Sequence, residues 1–448
     1  MPIEVKSREL MAALILAYTA ARKGFRVYVG SHASITTALL TKPYLGGIYF
    51  DKSTQPKSLF EFVKAKCEYI CVLDYEISPS VNVEILKKLI PQRIYDYASE
   101  FVDRFYVCGK ESELVANSIF SSEKVKDMGW PKWDLYRPPF RDTLFRNTKL
   151  ANKEQCPYLV FASSYRYLIP PKKMLNFRKP GLIQPNERVT LEYKENHYRN
   201  FLIAVEELLK FDKDPDFPFV FVKPHHNESS REWRRALKGC QKTIVVSHRD
   251  SLDALIYHSN GLIHAGTTAA IHAWLMNKPL YFLTKASIKS RHLVTFQLSE
   301  FLLFANSDSA HRKEGFATVE ENPEYSEQIL NTFLTLRQPS NSLNLTEDLL
   351  GLNTVPSRRV SRFGFHRQQL SLRSARRALG LIRDELLWLL RKTNMGSQFH
   401  YLGTGIRKQE IKHFLSKFSF MLDGQTKEIV KLRQIGLNLI EIELKGVN

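Results

Sequence analysis

Apolar positions recur along the chain in two rhythms. Residues 8–22 carry them at helical spacing, and after Gly24 the run Phe25-Arg-Val-Tyr-Val-Gly30 reads as a buried strand. Short apolar strands follow at Gly47-Ile-Tyr-Phe50, Tyr69-Ile-Cys-Val-Leu73 and Arg104-Phe-Tyr-Val-Cys108, with polar stretches between them. That spacing suits parallel strands joined by crossover helices. Around residues 130–153 the rhythm breaks into prolines and charges (Pro131, Pro138, Pro139, Arg141, Lys149), after which Tyr158-Leu-Val-Phe-Ala162 opens a new unit. This unit holds a polar insertion over 165–188, a helix over 198–210, a strand over 217–222, and a strand–helix pair over 261–264 and 268–275. Residues 338–359 turn to Ser, Asn, Pro and Thr, a linker composition, and basic helical stretches follow at 366–392 and 406–422. No repeat of 20 to 50 residues is visible.

The pattern predicts an α/β protein with a first domain over 1–150, a second over 151–340, and a linker with a basic helical tail over 341–448. A chain of 448 residues fits this division, because single cores stop growing below that size. No apolar run approaches the roughly 20 residues that cross a bilayer, and MPIEVKSREL places charges where a signal peptide needs an apolar centre. A cytoplasmic protein is therefore expected. Five cysteines without a CxxC pair fit reduced thiols better than a disulfide framework or a zinc site, so no metal is expected.

Charge narrows the choice of partner. Residues 356–448 hold 18 Lys and Arg against 7 Asp and Glu, a net +11 of the chain's +19. Within them, residues 358–392 set Arg373, Arg376, Arg377 and Arg383 among Leu372, Leu379, Leu386, Leu387 and Leu390, a basic amphipathic helix. An anionic membrane surface attracts such a helix by about 1 kcal/mol per basic residue. The same pattern also describes a helix packed on the protein body with its basic face in water. Nothing resembles a helix-turn-helix, an RNP strand or a zinc finger, so nucleic acid is not an expected partner.

Four segments carry candidate chemistry. Phe219-Val-Phe-Val222 runs into Lys223-Pro-His-His226, a strand ending in a proline-stiffened cationic turn, where open α/β sheets bind ligands. Lys223, His225 and His226 are candidate phosphate ligands, or else a solvated loop whose histidines cap a helix. Gly261-Leu-Ile-His264 leads through Gly266, Thr267 and Thr268 into a helix, a place for an anion or an ordinary N-cap. Cys71-Val-Leu-Asp-Tyr-Glu76 delivers Asp74 and Glu76 to a strand end, on one face if the strand continues, as a base, a nucleophile or a helix cap. Gly129-Trp-Pro-Lys-Trp-Asp134 is a rigid turn whose Asp134 is a further catalytic candidate or simply part of a linker turn.

These segments resemble the bacterial surface carbohydrate biosynthesis proteins, GT-B-like glycosyltransferases related to the retaining β-Kdo transferases of capsule and O-antigen synthesis. The resemblance covers roughly residues 1–340. It runs from Val5-Lys-Ser-Arg-Glu-Leu10 through Gly24–Gly30, Gly47-Ile-Tyr-Phe-Asp-Lys-Ser53, Leu73-Asp-Tyr-Glu76 and Gly129–Asp134. It implies two Rossmann-like domains facing a cleft. It also implies a CMP-linked donor such as CMP-Kdo gripped by Lys223-Pro-His225 and Thr267-Thr268, a saccharide or glycolipid acceptor on the N-terminal side, and no cofactor. Tyr75 and Ile77 depart from the family's Asp-Glu-Glu-Gly motif, and His272 stands where many GT-B enzymes place a ribose-binding Glu. A non-catalytic carbohydrate-binding protein and a UDP-sugar 2-epimerase are the alternatives.

Overall fold

A computed structural model describes residues 1–4, 6–41, 46–74, 83–146, 157–165, 167–170, 191–225, 228–247, 250–283, 300–301, 335–336, 340–354, 405–423, 430–436 and 438–444. The chain is α/β with parallel sheets, as the spacing predicts. It divides into two compact units, one of residues 1–140 with 328–448 and one of residues 141–327.

The first unit begins with β1 (Pro2–Ile3), the helix Lys6–Arg22 and β2 (Val27–Ser31), with β1 and β2 parallel. A second sheet follows in chain order: β3 (Ile48–Asp51), β4 (Tyr69–Leu73), β5 (Arg104–Val107) and β6 (Val125–Asp127), all parallel. Its crossover helices are amphipathic; Lys57–Lys64, for instance, turns Leu59, Phe60, Phe62 and Val63 inward and leaves its lysines outside. Those residues join Ile70, Val72, Phe105 and Val107 in one core.

The second unit carries six parallel strands: β7 (Tyr158–Ala162), β8 (Phe219–Lys223), β9 (Thr243–Val245), β10 (Gly261–His264), β11 (Leu280–Phe282) and β12 (Glu300–Phe301). Their order across the sheet is β12-β11-β10-β7-β8-β9. All five residues of β7 are buried, as befits a central strand covered on both faces. The helix Leu191–Lys213 packs Phe201, Ala204, Leu208 and Phe211 over it.

The chain then returns to the first unit. Residues read as linker form the helix Asn341–Thr354, and residues read as tail supply the helix Lys408–Asp423 and the hairpin β13 (Val430–Gly436) and β14 (Leu439–Leu444). Strand β14 pairs antiparallel with β2, giving the order β1-β2-β14-β13. The approach is close: a Cβ on Gly30 would stand 2.5 Å from the Asn438 carbonyl oxygen. The expected tail boundary at 341 is therefore replaced by a C-terminal part of the first unit. The helix Lys6–Arg22 is buried on nearly every side because this returning segment covers it. The basic stretch 358–392 lies outside the described residues.

Candidate functional site

The strand order of the second unit fixes where a ligand fits. The chain steps from β7 to β8 to β9 in one direction, then crosses back to β10 on the other flank of β7. Connections after β7 and β10 therefore leave in opposite directions, the arrangement at whose carboxyl ends open α/β sheets bind ligands. The turn Gly266–Thr268 follows β10 at this point. Gly266 has φ +99°, a left-handed conformation that favours glycine. Its N–H donates to His264 Nδ1 at 3.2 Å, and Thr267 Oγ1 accepts from the Ala269 N–H at 3.3 Å. Thr268 is exposed and makes no side-chain cap bond. Burial pushes His264 down to about 3, so its ring stays neutral and can accept. The helix that follows, Ala269–Leu275, is only seven residues long. Anion binding there falls to the hydroxyls and N–H groups of the turn more than to a macrodipole.

At the end of β8, Lys223 turns inward. Its Nζ donates to the carbonyl oxygens of Ser247 at 2.7 Å and Asp250 at 2.6 Å, bracing the loop after β9. Burial lowers its pKa to about 8 against the pull of Asp250. Two of its three donors thus brace this loop. His225 is half-buried, and its N–H donates to Glu228 Oε2 at 3.3 Å; His226 lies outside the described residues. The strand ends of β8 and β10 flank β7, so the two motifs share one sheet edge about 10 Å apart.

Glu228 is the residue that sequence reasoning passed over. Its buried Oε2 also accepts from Ser163 Oγ at 2.6 Å and Trp233 Nε1 at 2.8 Å, tying the end of β7 to the turn after β8. Burial raises its carboxyl to about 7 against those donors. An acid five residues before a tryptophan in an otherwise cationic turn was the available signal. His272, the anomalous position in the following helix, is held by Asp253, with Nδ1 2.9 Å from Oδ1.

The acidic candidates fall in the first unit. Asp74 ends β4 and accepts a two-pronged bond from Arg93, Nε to Oδ2 at 2.8 Å and Nη2 to Oδ1 at 3.0 Å. Glu76 lies outside the described residues. Asp134 is buried at the start of the helix Asn341–Thr354, accepting from the N–H groups of Asn341 (3.0 Å) and Ser342 (2.8 Å) and from Ser342 Oγ (2.6 Å). It anchors the start of that helix. No group of metal-ligating side chains is found among the described residues. Cys67, Cys71, Cys108 and Cys240 are free thiols. No described helix is long and apolar enough to cross a membrane.

Neither any known protein family nor any curated protein matches the chain. Solved structures show a distant likeness. A putative UDP-N-acetylglucosamine 2-epimerase from Listeria monocytogenes is 9% identical with a TM-score of 0.43, over 71% of this chain and 76% of that one. The UDP-GlcNAc 2-epimerase from Neisseria meningitidis bound to UDP-GlcNAc is 13% identical with a TM-score of 0.41, over 79% and 83%. The wall teichoic acid polymerase TagF is 11% identical with a TM-score of 0.38, over 63% and 68%. Likenesses at this level carry no argument about activity, so the site is read from its own residues.

Proposed function

We infer that the protein is a glycosyltransferase that uses a sugar nucleotide and acts on a surface polysaccharide or glycolipid acceptor. The observation that carries this reading is the Gly266–Thr268 turn at the point where the strand order of the second unit reverses. There the hydroxyls of Thr267 and Thr268 and the N–H groups beside Gly266 can receive the charge that grows on a departing phosphate, without a metal. The family resemblance makes a CMP-linked donor, CMP-Kdo first, the one to try. Lys223 and Glu228 keep the neighbouring loops in place, and His225 stands between them.

A thermal-shift and calorimetric panel of CMP-, CDP- and UDP-sugars tests the reading, with Thr267→Val/Thr268→Val as the site control. The expected result is binding of a cytidine nucleotide that the double variant weakens at least tenfold. A preference for UDP-GlcNAc accompanied by interconversion of its 2-epimers would replace transfer with epimerisation. Binding without transfer or hydrolysis of any sugar nucleotide would leave a carbohydrate-assembly binding protein.

A further inference from the structure

Two stretches of the family resemblance, residues 24–30 and 47–53, have no part in the site above. Within the first unit they face each other across a cavity of about 510 Å³. Residues 24–28 line it without a break on one side, and residues 46–50 do so on the other. Side chains alternate between the two faces of a strand, so a cavity that meets every residue of both stretches runs along their edges, in the plane of the sheet. Leu16 and Ala20 close it from the helix Lys6–Arg22, and Ile35 and Leu39 close it from the helix His32–Thr41. An apolar slot edged by two strands and covered by helices is the surrounding that a central parallel strand has.

β1 leads into this slot. Its two residues pair with Gly30 and Ser31 at the carboxyl end of β2, and on the other flank Pro2 and Ile3 share a small cavity with Phe50 and Lys52 at the end of β3. Met1, just before β1, makes the bonds of a strand residue: its nitrogen donates to the Tyr28 carbonyl at 2.8 Å, and its carbonyl accepts the Gly30 N–H at 3.2 Å. Continuing β1 backward in the same register carries it past Tyr28 and Arg26, along the length of the slot. Burial lowers the Met1 ammonium to about 5, the cost of taking a charge out of water. The titratable groups around it are Asp51, whose carboxyl burial raises, and the Cys67 thiol, which burial pushes up to about 11. An amide nitrogen at the same place carries no charge, needs one acceptor, and has it in Tyr28.

We propose that the slot is the seat of a strand: about five residues of extended apolar peptide, at roughly 3.3 Å each, continue β1 through the Met1 amide and lie parallel between β2 and β3. The occupant is apolar on both faces, because helices cover the slot, and it joins β2, β1 and β3 into one sheet. An acyl chain or other apolar small molecule fits the walls less well, since it has no N–H or C=O to offer two strand edges. The slot involves no sugar nucleotide, so its outcome is independent of the glycosyltransferase reading.

The test compares three forms of the full chain: one beginning at Met1, one with Val-Ile-Val-Ile-Val joined ahead of Met1, and one with Gly-Ser-Gly-Ser-Gly there. Amide hydrogen exchange of β2 and β3 is the readout. The apolar form should exchange at least about tenfold more slowly in both strands than the Gly-Ser form, because β-branched residues suit a covered strand and Gly-Ser does not. Equal exchange in the two extended forms overturns the proposal. So does dodecanoate, as the probe for an apolar ligand, if it protects the unextended chain as strongly as the apolar extension does. Full protection by the free pentapeptide at millimolar concentration also overturns it, moving the occupant to a separate chain. Should the apolar form aggregate, an Nα-acetyl group on Met1 of the unextended chain decides: replacing the ammonium by an amide should slow exchange in β2, and unchanged exchange overturns the proposal.

Discussion

Lys223 shows how a residue at a strand's ligand end can serve the fold. Its two bonds to the Ser247 and Asp250 carbonyls hold the β9 loop against β8. Lys223→Met should therefore cost about 2 kcal/mol in urea unfolding, whatever it does to nucleotide affinity. Glu228 and His264 lie near the same edge with opposite proton linkage. Glu228 titrates at about 7 when folded, against 4.5 unfolded, so its stabilising contribution is complete below pH 4.5 and is lost as pH rises through 7. His264 titrates at about 3 against 6.5, so its contribution is complete above pH 6.5 and is lost as pH falls toward 3. Between pH 4.5 and 6.5 the two slopes oppose each other. Glu228→Gln should unmask the histidine, giving stability of the second unit that rises by up to about 1.4 kcal/mol per pH unit relative to wild type across that window. Amide exchange of β7 to β10 at a series of pH values measures it. Parallel curves for the two proteins would contradict the assignment.

At the scale of elements, the helix Asn341–Thr354 is the instructive case. Its polar sequence, NSLNLTEDLLGLNT, reads as linker, yet Asn341, Ser342 and Thr346 are fully buried. The polar groups are satisfied by tertiary partners: Asn341 Nδ2 donates to the Trp130 and Thr335 carbonyls at 3.0 Å each, and the Thr346 and Thr19 hydroxyls meet at 2.9 Å. No local pattern records a partner more than 200 residues away. Gly129, at φ +65°, lets this packing close, since a Cβ there would stand 2.2 Å from the Thr335 carbonyl oxygen. Asp134→Ala, which removes the acceptor for the helix's first N–H groups, should lower first-unit stability by about 2 kcal/mol in chemical denaturation. By contrast, β4, β7 and β10 are legible to the residue, because each is a continuous apolar run between turn signals, whereas the short β6, β9 and β11 and the C-terminal β13 and β14 carry no such run and go unread. The turn at Gly266 was legible too, through its glycine and threonines. The bracing role of Lys223 is not legible, because only the fold shows that the β9 loop comes back to meet it.

For the molecule as a whole, the second unit is an insertion within the first, leaving the first before residue 141 and returning to it after residue 327. A fragment of residues 141–327 should unfold cooperatively and keep the nucleotide affinity of the full chain. Truncation after residue 404 should instead unfold the first unit by stripping β14 from β2 and the helix Lys408–Asp423 from the helix Lys6–Arg22. Circular dichroism melts and calorimetry on the two pieces check both outcomes. Liposome binding through the basic stretch is therefore better probed by charge reversal at Arg373, Arg376 and Arg377 than by deletion. The pairing of β2 with β14 also sets a timetable. Gly30 meets Leu439, 409 positions further on, so during synthesis at about 5–20 residues per second β2 waits roughly 20–80 s with one edge unpaired. The second unit is translated in that interval and can finish folding before the first unit closes. The nascent chain thus passes through a half-built state whose bare strand edge invites chaperone capture or strand exchange with a neighbouring polysome product.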